Sequence, residues 1–84
     1  MKSNKVVFKI NKYGDFKGNV IAVFTDNNCN LGYKKCFALF EGYSEAEINW
    51  IKKQTRNAKP YEYSATKSVL EREYGYKLEV VNRI

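Results

Sequence analysis

Val20-Ile21-Ala22-Val23-Phe24 is apolar at every position, and Cys36-Phe37-Ala38-Leu39-Phe40 is a second run of the same kind. Short apolar runs bounded by Gly, Asn and Asp read as buried strands, because a helix would need a longer pattern with a 3.6-residue period. Neither run alternates, so these two strands either have both faces covered or leave one apolar face for a partner. Upstream, Val6, Phe8 and Ile10 alternate with Lys5, Val7, Lys9 and Asn11. That is the period of a strand buried on one side, and it is expected at a sheet edge. Tyr13 to Asn19, with Gly14 and Gly18, supplies a hairpin loop between the first two strands. Asp26 to Lys35, rich in Asn and ending in Tyr33-Lys34-Lys35, reads as a polar, basic loop before the third.

Beyond the third strand the signals turn helical. Ser44-Glu45-Ala46-Glu47 has capping-box spacing, so a short helix is expected from about Glu45 to Lys53, with Ser44 as its N-cap. Pro60 suits the first position of a second helix running through Tyr61 to Tyr74, with Thr66, Val69, Leu70 and Tyr74 on one flank and Gly75 as its stop. Tyr76 to Val81 alternates again and reads as a last strand, with Leu78 and Val80 inward. The expected fold is α+β in the order β-β-β-α-α-β. A three-stranded antiparallel meander forms a single sheet layer, one or two helices pack on one face, and the final strand returns beside the first.

Eighty-four residues form one domain, 1–84. Fifteen Lys and Arg against nine Asp and Glu give a net charge of +6, which favours an anionic partner. Histidine is absent, which removes the commonest general base and metal ligand together with Ser-His and Cys-His nucleophile pairs. The acidic residues are scattered without a spacing that pairs two carboxylates, so no catalytic set, metal ligand or cofactor site is expected, and the protein reads as a non-enzyme. Cys29 and Cys36 are too few for a disulfide scaffold and read as free thiols, Cys36 as a buried small hydrophobe. Charges interrupt the first apolar residues well before any leader or membrane-spanning length, so no membrane is expected and the protein is placed in the cytosol.

The basic residues are the most suggestive. Lys52, Lys53, Arg56 and Lys59 fall close together near Trp50, Tyr61 and Tyr63, and Lys34, Lys35 and Tyr33 extend the set. Cations neutralise phosphates while exposed rings stack on unpaired bases, so Lys34, Lys35, Lys52, Lys53, Arg56, Lys59 and Tyr61 are the candidate contacts for nucleic acid or a partner. Cations in a last helical turn also favour the helix dipole, and Trp50 at helical spacing also suits a core. Both readings stand at this point.

Three stretches carry a resemblance: Gly18-Asn19-Val20-Ile21-Ala22-Val23-Phe24-Thr25-Asp26, Thr55-Arg56-Asn57-Ala58-Lys59-Pro60-Tyr61-Glu62-Tyr63 and Tyr74-Gly75-Tyr76-Lys77-Leu78-Glu79-Val80-Val81. They resemble a family of short proteins carried by bacteriophages, plasmids and integrative elements. The chain departs from that pattern at Phe40-Glu41-Gly42-Tyr43, where histidines are usual, and at Asn57, where a proline is usual. The resemblance implies a mobile-element origin and a bacterial host cytosol, and phage accessory proteins of this size are often inhibitors of host defence, anti-CRISPR proteins included. A basic inhibitor cannot imitate polyanionic DNA, so its expected partner is RNA or a CRISPR ribonucleoprotein, the host nuclease with its guide. The alternative is a self-associating module, a homodimer through an apolar sheet face, with no nucleic acid.

Overall fold

A computed structural model describes residues 3–15, 17–28, 32–39 and 41–83. Among them the chain forms β1 (Ser3–Asn11), β2 (Val20–Asn28), β3 (Tyr33–Ala38), β4 (Gly42–Glu47), α1 (Ile48–Gln54), β5 (Thr55–Asn57), α2 (Pro60–Arg72) and β6 (Lys77–Val80). This is a small α+β fold, one sheet with two helices, and it contains more strands than its sequence pattern suggests. The sheet runs β4-β3-β2-β1-β5, with β6 also pairing β1. Every pairing is antiparallel except β1 with β6, which is parallel.

Four expectations are corrected. Residues 42–47 are a strand, so Ser44 caps no helix; it lies opposite Cys36 in a ladder that extends from Tyr33↔Glu47 to Ala38↔Gly42. One cap contributes about 1 kcal/mol, less than a six-residue ladder that buries β3 from the edge. Glu41 N–H donates to Ala38 C=O at 3.2 Å, and Gly42 follows at φ 81°, the left-handed residue that a three-residue hairpin with a bulge requires. The first helix therefore starts at Ile48, with no side-chain cap.

β1 is central instead of an edge, because β5 and β6 divide its outer side between them. Lys9, Ile10 and Asn11 pair with β5, while Ser3 to Val6 pair with β6. The strand β5, only three residues long, is the element the expected order lacks. The loop expected from Asp26 to Lys35 is largely strand, since β2 continues to Asn28 and β3 opens at Tyr33. Cys29 and Phe40 lie outside the described residues.

The fourth correction concerns layering, since the helices lie on opposite faces. Val6, Phe8, Ala22, Phe24 and Phe37 point one way and bury Leu70 of α2, with Val69, Tyr63, Tyr76 and Leu78 around them. Phe8 and Tyr63 stack at 4.4 Å between ring centroids. Ala22 and Val23 are neighbours on a strand, so their side chains diverge. Val23 and Cys36 accordingly form a second, smaller cluster that is covered by Ile51 of α1. Pro60 begins α2 as expected, and Thr66 and Leu70 are its buried residues. Gly75, at φ 71°, turns the chain out of the helix, and Tyr76 N–H donates to Leu70 C=O at 3.1 Å. No helix is long and apolar enough to cross a membrane.

Candidate nucleic-acid interface

β1 places Lys9 opposite Ile21 and Asn57, on the face that α1 covers. The last turn of α1 carries Lys52 and Lys53, both exposed. After β6, Val81 N–H donates to Val6 C=O at 2.9 Å, and Asn57 Nδ2 donates to Asn82 C=O at 3.4 Å. Those two bonds hold the segment against β1 and β5. The result is a concavity of about 320 Å³ lined by Lys9, Lys52, Asn82 and Arg83. Three cations from β1, α1 and the segment after β6 meet there, and none of them has a carboxylate partner among the described residues. The Lys9 ammonium is held below its ordinary range, first by partial burial and then by repulsion from Lys12 and Lys52. An anion entering this concavity would relieve that repulsion.

The remaining basic residues are placed differently. Arg56 lies opposite Ile10, on the α2 face, and its guanidinium forks onto Glu62 at 2.9 and 2.7 Å. Glu62 also accepts the Lys59 N–H at 2.8 Å, completing the carboxylate half of a capping box at the start of α2. These bonds lower the Glu62 carboxyl to about 2, the Arg56 hydrogen bonds first and the Lys59 N–H second. The same contact raises the Arg56 guanidinium. Arg56 therefore anchors the helix start, and Glu62, which sequence reasoning left as surface solvation, is its partner. Lys59 stays exposed at the N-cap, and Tyr61 is 76% exposed in the first turn of α2.

Lys34 and Lys35 do not join the cluster. Lys34 Nζ donates to Thr25 C=O at 2.8 Å. Lys35 lies on the other face, 4.6 Å from the Tyr43 ring centroid and 5.5 Å from that of Phe24. Tyr43, Tyr74 and Phe37 meet edge to face around it, and Tyr43 Oη donates to Tyr76 Oη at 2.8 Å. Burial, followed by the bond to Tyr76, raises the Tyr43 phenol and keeps it protonated.

Sequence reasoning thus found Lys52 but missed Lys9 and Arg83. Lys9 sat in a strand whose alternation drew attention to Val6, Phe8 and Ile10 instead. Trp50 is not core; it is 45% exposed and lines a groove on the other flank of α1. Cys36 is buried, with Sγ against Lys34 C=O at 3.6 Å. Among the described residues no group of acidic or thiol side chains is placed to hold a metal ion. The chain matches no protein-family profile, no curated protein and no solved structure.

Proposed function

We propose that this protein is a non-enzymatic accessory protein of a phage or other mobile element that binds RNA, including the guide of a CRISPR nuclease, and thereby restrains host defence. The observation that supports the reading is the convergence of Lys9, Lys52 and Arg83 on one concavity with no carboxylate paired to them among the described residues. A phosphodiester seated there would be neutralised by three cations and would release the counterions they hold. Lys12 lies near enough to Lys9 to repel its ammonium and adds a further cation beside the site. The self-associating alternative requires an open apolar face at β2 and β3, where Ile51 covers Val23 and Cys36.

Binding of a labelled single-stranded RNA, measured by anisotropy across a salt series, tests the reading. Replacing Lys9, Lys52 and Arg83 with Ala is expected to flatten the slope of log affinity against log salt by about 2, at roughly 0.7 for each phosphate no longer neutralised. Lys34→Ala and Arg56→Ala should leave the slope unchanged, because both side chains are engaged within the fold. A triple variant with the parental slope would overturn the assignment. Capture of a CRISPR nuclease that fails after ribonuclease treatment would extend it to the ribonucleoprotein.

A further inference from the structure

β4 ends the sheet, so among the described residues no strand pairs with its outer side. Alternate N–H and C=O groups of such an edge point away from the sheet and can template a further strand. The usual protections are missing here. β4 is six residues long, contains no Pro or Lys, and keeps an unbroken register with β3 from Tyr33↔Glu47 to Ala38↔Gly42. At the other end of the sheet, by contrast, β5 and β6 fill the outer side of β1.

The side chains of β4 are sorted by face. Tyr43, Glu45 and Glu47 share the α2 face with Phe37 and Lys35, while Ser44 and Ala46 share the α1 face with Cys36. Lys35 stands opposite Glu45, but its ammonium lies over the Tyr43 ring. Neither Glu45 nor Glu47 makes an ion pair or a side-chain hydrogen bond among the described residues, and both are exposed. On the α1 face Ser44 and Ala46 are small, and with Ile21 and Trp50 they border a groove of about 590 Å³.

These two faces define what the edge accepts. Like charges directly opposite one another destabilise a strand pair, which disfavours pairing of β4 with a second β4 wherever Glu45 and Glu47 meet their copies. A strand with Lys or Arg at alternate positions reverses the sign at both residues. Its intervening side chains then fall on the α1 face, over Ser44 and Ala46 and toward the groove beside Trp50, where apolar groups fit. Nucleic acid offers no matching ladder of N–H and C=O groups, and its phosphates would meet the two carboxylates.

We infer that β4 takes up an extended segment of a partner protein as an added strand, one in which Lys or Arg alternates with apolar residues. Main-chain hydrogen bonds supply the attachment, and the two faces supply the selectivity. This docking is independent of RNA binding.

The probe is the acetylated, amidated peptide Lys-Val-Lys-Val-Lys. One counterpart is N-methylated at every amide, which keeps its charge but removes its main-chain donors, and another carries Glu in place of Lys. Trp50 is the single tryptophan of the chain, so its emission follows occupancy, while amide hydrogen exchange locates it. The basic peptide is expected to change Trp50 emission saturably and to slow exchange along β4. Both counterparts should bind at least tenfold more weakly. Glu45→Gln with Glu47→Gln should weaken the basic peptide roughly fivefold, from two cross-strand charge pairs, and unchanged thermal melting would show that the variant is folded. Equal binding of either counterpart, no saturable response, protection confined to segments other than β4, or an unaffected double glutamine variant would overturn the inference. So would a concentration-dependent mass accompanied by slowed exchange in β4 without peptide, which would assign the edge to a second copy of the chain.

Discussion

The two faces of the sheet use their side chains in different ways. Under α2, Phe8, Phe24, Phe37 and Leu70 close against aromatic neighbours and leave almost nothing accessible. Under α1 the packed set is smaller, Val23, Cys36 and Ile51 with Val7 opposite Val23, and concavities open on either flank. A seven-residue helix is too short to cover a sheet face, so the remainder of that face stays open. The first face contributes most of the stability, and the second contributes most of the accessible chemistry.

Core truncation is the strongest way to break that comparison. Leu70→Ala is expected to cost about 4 kcal/mol, because the aromatic side chains around it cannot collapse into the void. Ile51→Ala should cost about 2 kcal/mol, at the low end for such truncations, since Ile21 and Ala46 beside it border an open groove and can relax. Urea denaturation of both variants measures the difference. Equal destabilisation would mean that the α1 face is as tightly packed as the other.

A smaller effect sharpens the comparison at the junction of β5 with α2. The Glu62 carboxyl is lowered from 4.5 to about 2 by Arg56 and the Lys59 N–H. A carboxyl depressed in the folded state stabilises the fold fully above its unfolded value and progressively less as pH falls toward its folded one. The melting temperature should thus fall more steeply between pH 4.5 and 2 in the parent than in Glu62→Gln, and the two curves should converge near the lower limit. Parallel curves would show that the ion pair is silent.

The smallest effect has the opposite sign. Lys9 is held in a partly buried, like-charged setting. Lys9→Met should therefore leave stability unchanged or raise it by about 0.3 kcal/mol after solvent screening, while weakening RNA binding. A destabilisation above about 1 kcal/mol would mean that Lys9 supports the fold, and the concavity would lose its standing as recognition surface.

Elements with a strong period were readable from the chain. β2 and the start of β3 follow from their apolar runs, and α2 from Pro60, Leu70 and Gly75. β4 was hidden because Ser44 and Glu47 satisfy a local helix signal while Ser44 and Ala46 are too small to advertise a strand face. The partner strand decides the conformation there, and no local window contains it. β5 is three residues recruited by the backbone of β1, with Ala58 N–H donating to Phe8 C=O beyond its end. The site was legible only at Lys52. Nearness along the chain grouped Lys52 with Arg56, whereas β5 sends Arg56 to one face and Asn57 to the other. Lys9 and Arg83 reach Lys52 only through pairings made by β1, which spacing does not reveal.

The divided outer side of β1 also has a kinetic consequence. Val6 gains its parallel neighbour Val80 only after the rest of the sheet has been synthesised. Until then half of that strand presents unpaired N–H and C=O groups, open to any extended segment of a neighbouring nascent chain. Joining partners so far apart in sequence is also slow, because loop closure precedes the contacts that reward it. The arrival of β6 seals the sheet, and in the same event it brings Arg83 to Lys9 and Lys52. The basic concavity therefore exists only when β6 is paired with β1, and its affinity for anions would report that pairing.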